Sequence, residues 1–154
     1  MEAKISKVKS IYAEFDASVA EYRESMVCAP GCAFCCTEMG RVDITTLEGL
    51  IIRKQLGKLN RTLSAKIAKQ LDRDIRKREK GEKNRCPFLQ KNDRCLIYAG
   101  RPFSCRQLYS LKKCGAQGPT VHRQAVSLAQ EAVKRLQALD NTGYSGHLSY
   151  ILHM

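Results

Sequence analysis

Eight cysteines carry the chemistry of this sequence. Cys28, Cys32, Cys35 and Cys36 fall within the nine-residue run C-A-P-G-C-A-F-C-C, and Cys86, Cys95, Cys105 and Cys114 follow further on. Gathered cysteines can do three things. As thiolates they close a Cys₄ zinc site or hold an iron–sulfur cluster, and without metal they run thiol–disulfide exchange. If a helix begins at Pro30, then Cys32, Cys35 and Cys36 stand at i, i+3 and i+4 on one face, with Cys28 in the entering loop. The unpaired N–H groups of a helix start stabilise thiolate there. Each downstream cysteine has a basic neighbour: Arg85, Arg94, Arg106 and Lys113. Such cations offset thiolate charge, although in so basic a chain some adjacency arises by chance.

Spacing separates the options in part. Zinc ribbons use two well-separated C-x₂-C knuckles, and here only Cys32 and Cys35 make such a pair. Eight, nine and eight residues lie between successive downstream cysteines. One compact site takes four cysteines, so eight imply two sites or some cysteines outside the first coordination sphere. Cys114, in a Lys-Lys-Cys-Gly stretch, also reads as an unligated thiol. Cys28, Cys32, Phe34 and Cys35 match the C-x₃-C-x-aromatic-C pattern of radical S-adenosylmethionine enzymes. That fold needs a β/α barrel of roughly 200 residues with alternating strands and helices. This shorter chain shows no such alternation, and a helical pattern, not a strand, precedes Cys28.

The whole constellation resembles the YkgJ-type cysteine-cluster family of zinc- or iron-chelating domains, known by its C-x-x-C-x-x-C-C motif. The matching residues are Cys28, Cys32, Cys35 and Cys36, then Arg85-Cys86-Pro87-Phe88-Leu89. Cys95-Leu96-Ile97-Tyr98 and Arg101-Pro102-Phe103-Ser104-Cys105-Arg106 complete the set. The first gap holds three residues where the family motif has two, and Cys114 lies beyond the matched motifs. The resemblance implies a metal or iron–sulfur site built from both halves of the motif. It makes the seven cysteines of these motifs candidate ligands, and Cys114 stands with them as an eighth by residue type alone. Arg101 and Arg106 read as candidate donors or counter-charges to the bound group, or as helix-end capping and charge pairing, and Tyr98 and Phe103 as packing around it. A flagellin lysine N-methylase carries a similar cysteine pattern, but no glycine-rich nucleotide loop after a strand is present here.

The elements that must hold these residues are mainly helical. Ile5, Val8, Ile11, Phe15, Val19, Tyr22 and Met26 recur every three or four residues and predict a helix over 3–27. Thr45 to Glu48 fits a capping box opening a second helix that ends near Gly57. Asn60 caps a third helix over about 61–80, and Pro119 opens a last one running to about 139. Residues 81–106 read as loop, with Asn92-Asp93 as a turn between two short extended pieces at Cys86–Leu89 and Cys95–Tyr98. The tail from Asp140 is irregular, then apolar at Leu148, Tyr150, Ile151 and Leu152. The expected fold is a small, mainly α single domain over 1–154, its cysteine-rich loops at 28–36 and 86–114 ordered by metal. No internal repeat is evident.

Composition bounds the function. The net charge is +12, from 27 basic and 15 acidic residues. Between Arg53 and Arg85 thirteen Lys or Arg face four Asp or Glu, concentrated in a basic helical segment over 58–85. That segment reads either as a surface for nucleic acid or an acidic protein, or as a solvated helix with i,i+4 charge pairs. No aromatic residue interleaves it for base stacking. No signal peptide and no membrane-length apolar run is visible, so a cytoplasmic location is expected, where thiols stay reduced. No Ser-His-Asp set, paired carboxylates or phosphate loop points to an enzyme. The leading expectation is a metal-binding protein holding a [4Fe–4S] cluster, or zinc, for electron transfer, sensing or cluster handling. The alternative is a zinc-stabilised module that works through its basic helix. His122, His147 and His153 are scattered and read weakly as ligands.

Overall fold

The computed structural model describes residues 1–26, 34–38, 41–108, 121–141 and 143–153. Seven α-helices and a two-stranded sheet occur among them. Cys28, Cys32 and Cys114 lie outside the described residues, as do the expected helix starts at Pro30 and Pro119.

Helix α1, Glu2–Arg23, buries Ile5, Val8, Ile11, Tyr12, Phe15 and Val19 on one stripe. It stops before Met26, which follows in a turn and is exposed. The short α2, Phe34–Glu38, carries Cys35 and Cys36. Strand β1, Asp43–Thr45, leads straight into α3, Thr46–Leu56. Thr45 caps α3 as expected: its hydroxyl accepts from the Glu48 N–H, and Glu48 Oε2 accepts from the Thr45 N–H at 2.9 Å. Helix α4, Arg61–Glu79, opens on Asn60, whose side chain accepts from the Leu63 N–H at 2.8 Å.

A 3₁₀ turn at Tyr98–Gly100 and helix α5, Phe103–Arg106, follow the cysteine-bearing loops. The last long helix, α6, spans Arg123–Leu139 and starts later than the Pro119 expectation. Val121 and His122 are not helical. His122 is the N-cap, with Nδ1 accepting from the Gln124 N–H at 3.2 Å and its ring stacked on Tyr22. The tail is more ordered than the sequence suggests. Strand β2, Ser145–His147, pairs antiparallel with β1, Ile44 opposite Gly146, and helix α7, Leu148–His153, follows. Three-residue strands are too short to show a period of two, and their pairing spans about a hundred residues of chain, so nothing local announces them.

Two apolar clusters hold these elements. In the first, α1, α3 and α6 meet around Val8, Phe15, Leu47, Ala129 and Leu136, with Phe103 of α5 edge-on to Phe15. In the second, Ile44, Ile52, Ile67, Leu71, Phe88, Ile97, Leu148 and Ile151 join β1, α3, α4, α7 and the loop, with Cys86 and Cys95 packed against them. Cys86 and Cys95 therefore sit at the border of a core and not on a detached loop.

Candidate metal centre

The loop that carries Cys86 and Cys95 is a tight hairpin. Leu89 and Cys95 form an antiparallel bridge, the Leu96 N–H donates to the Phe88 carbonyl at 2.9 Å, and the Gln90 N–H donates to Arg94 at 3.0 Å. The expected Asn92-Asp93 turn closes it, with Asp93 in the left-handed region at φ 60° and Asn92 Oδ1 accepting from the Arg94 N–H. Phe88, Leu89 and Ile97 bury the inner side of this hairpin. Cys86 and Cys95 are thereby carried to the same edge of the second core.

Cys36, from the first cysteine cluster, meets that edge directly. The Cys86 N–H donates to the Cys36 carbonyl at 2.7 Å, tying α2 to a loop fifty residues away. Cys35, Cys36, Cys86 and Pro87 line a narrow cleft. Val42, Arg78, Asn84, His147 and Leu148 form its other wall. Cys105 stands on α5, and the charges of Cys86, Cys36 and Cys95 act on its thiol. Cys86, Cys95 and Cys105 carry thiols and make no disulfide.

Burial, and then each other, hold these thiols protonated. Burial pushes Cys86 up to about 12; the Phe88 N–H opposes this, while Cys36, Cys95 and Asp74 add to it. Burial also raises Cys105 and Cys95, again with neighbouring cysteines adding. Arg101 opposes both shifts, so its guanidinium works on the sulfur group. Thiolates drawn together at this edge would repel one another unless a cation joined them. Soft thiolate donors select zinc and iron–sulfur centres, so the donor chemistry fits the group the motifs imply. Among the described residues, no three Cys, His, Asp or Glu side chains already stand together closely enough to hold an ion by themselves.

The two arginines divide. Arg101 stacks on Tyr98 at 4.0 Å and bonds its carbonyl, beside the thiols. Arg106 turns the other way. It pairs with Asp16 at 3.1 Å, lies 4.3 Å over the Tyr12 ring, and donates to the Arg101 and Ala99 carbonyls. These contacts fasten α5 to α1. Tyr98 is 62% exposed and Phe103 only 2%, so the first faces solvent and the second fills the core.

One buried network beside the cleft has no counterpart in the sequence reading. Asp74 is fully buried, and its carboxylate accepts from Arg78 Nε at 2.7 Å, Asn84 Nδ2 at 2.9 Å, His147 Nε2 at 3.1 Å and Ser149 Oγ at 2.5 Å. His147 Nδ1 accepts from the Val42 N–H at 3.1 Å, so its proton sits on Nε2 and points to Asp74. Ser149 donates to the carboxylate and not to the imidazole, so this is a tie between α4 and the tail, not a nucleophile–base relay. A single acid on the apolar side of a basic helix was the available signal.

Site and fold together define a small helical domain with clustered cysteines. A family model covers residues 27–137, more than two thirds of the chain: CxxCxxCC, described as a "putative zinc- or iron-chelating domain". The chain belongs to this family. No curated protein and no solved structure matches it.

Proposed function

We propose that the chain holds a [4Fe–4S] cluster through Cys36, Cys86, Cys95 and Cys105, with Cys28, Cys32, Cys35 and Cys114 as further candidate ligands. The observation that carries this reading is the convergence of α2, the hairpin and α5 on one half-buried sulfur group next to Arg101. The sulfur count and the irregular downstream spacing favour a cluster over a double zinc ribbon. Bound there, a cluster supplies a one-electron couple whose potential depends on burial and nearby donors. The chain's own part is to exclude water with Phe88 and Ile97, orient the sulfurs on the hairpin and α2, and offset their charge with Arg101. A protein of this kind serves electron transfer, sensing or cluster handling in the cytoplasm, as a single domain over 1–154.

The same donor set also fits zinc, in which case the metal is structural and the basic segment is the working surface. Anaerobic purification followed by iron, zinc and labile-sulfide analysis separates the two. The cluster reading expects a brown protein with about four irons and four sulfides per chain. Cys36→Ser and Cys86→Ser should each remove most of that metal. A colourless protein with one or two zincs overturns the cluster and leaves the chelating site. Unchanged metal content in both variants overturns the ligand set.

A further inference from the structure

The basic charge of α4 is not spread round the helix. At 100° per residue, Lys66, Lys69, Arg73, Arg76 and Lys80 fall within an arc of about 80°, and the stripe runs about 21 Å along the axis. The first four are exposed positions of α4, and Lys80 is its exposed C-cap. Thr62 is the remaining residue of 61–80 inside the arc, and no Asp or Glu falls there. Asp72 lies to one side, where it meets His153 at 3.4 Å. Asp74, Ile67 and Leu71 face the core on the opposite side. None of the five cations pairs with a carboxylate among the described residues. The i,i+4 charge ladder that would make this a merely solvated helix is absent among those residues: Arg78 with Asp74 is the i,i+4 pair found on α4, and it is turned inward.

We infer that this stripe is a docking surface for the phosphodiester backbone of duplex nucleic acid. Charge complementarity names the occupant. Protein interfaces anchor on buried aromatic or large apolar side chains, and the arc holds none. Single strands bind through stacking on aromatic rings, and again the arc holds none. A duplex backbone asks only for cations at a regular rise, which a straight helix supplies. The surface contains no cysteine, so it works whichever metal fills the site.

Fluorescence anisotropy of the purified, metal-loaded chain with a 20-base-pair DNA duplex and the matching RNA duplex tests this across a salt series. Binding should weaken with a slope of log K against log salt of about −3 to −4.5, near 0.9 per phosphate met. The duplex of higher affinity identifies the source of the backbone. The triple variant Lys69→Glu, Arg73→Glu, Arg76→Glu should lose about tenfold or more in affinity and flatten the slope by about three. The triple variant Lys4→Glu, Lys7→Glu, Lys9→Glu makes the same charge change on exposed positions of α1 and should lose much less. A Gln version of the α4 triple, with unchanged metal content and melting temperature, checks that the effect is not unfolding. Equal losses in the α1 and α4 variants overturn the proposal, as does salt-insensitive binding or tighter binding to poly-glutamate than to either duplex.

Discussion

Asp74 shows how much a single side chain can organise. Burial by itself would raise its pKa, but the hydrogen bonds from His147, Ser149, Arg78 and Asn84 outweigh that and hold the carboxyl well below the ordinary carboxylate range. A group whose folded pKa is depressed stabilises above its unfolded pKa. That contribution is lost as pH falls toward the folded value. Asp74→Asn keeps the shape but loses the charge and turns an amide toward hydrogen-bond donors. It should cost about 2–4 kcal/mol in urea unfolding at pH 7. The gap between the two proteins should begin to close below a pH of about 4, the unfolded range of Asp. A gap that does not change with pH would mean that the charge of Asp74 contributes nothing. Because Asn84 and His147 both line the cysteine cleft, this residue also braces the wall opposite the sulfurs.

Among the elements, α3 packs against α7 at Gly49. A Cβ placed there would stand 2.8 Å from Ile151 Cγ2, with Ile44 and Leu152 behind it. In an open helix, Gly→Ala gains roughly 1 kcal/mol from backbone entropy. Here the added methyl overfills a packed contact, which costs about 1–3 kcal/mol. Gly49→Ala should therefore lower the thermal midpoint. A higher midpoint would show that α7 yields at little cost. Helix α7 matters for the site through its neighbour β2: it keeps His147 in register opposite Asp43, where the Leu148 N–H reaches the Val42 carbonyl at 2.9 Å.

For the whole molecule, the proposed ligand set couples metal loading to protonation. The described thiols with shifted pKa values, Cys86, Cys95 and Cys105, are all raised, so as metal ligands each would release a proton on binding. Zinc affinity of the metal-free chain should fall as pH falls, by up to about tenfold per displaced proton per pH unit. Competition titrations at two pH values, with proton release followed in weak buffer, measure the count directly. A pH-independent affinity would exclude these thiols as ligands. Among the described residues, no helix is long and apolar enough to cross a membrane.

Local signals in the sequence were enough for some of this. The capping box at Thr45, the Asn60 cap, the apolar stripe of α1 and the turn at Asn92-Asp93 depend on residues within one or two turns of each other, so they are legible without the fold. The cysteine motifs marked the chelating family for the same reason: their spacing is itself the signal. Tertiary structure alone decided which distant groups meet. It set Cys36 against Cys86, turned Arg106 to α1 while leaving Arg101 beside the thiols, and drew Asp74 to His147 and Ser149. It also built the β1–β2 pair from two segments with no pattern of their own. Those contacts join residues tens of positions apart, and their energy comes from shared burial, which no stretch of sequence holds by itself.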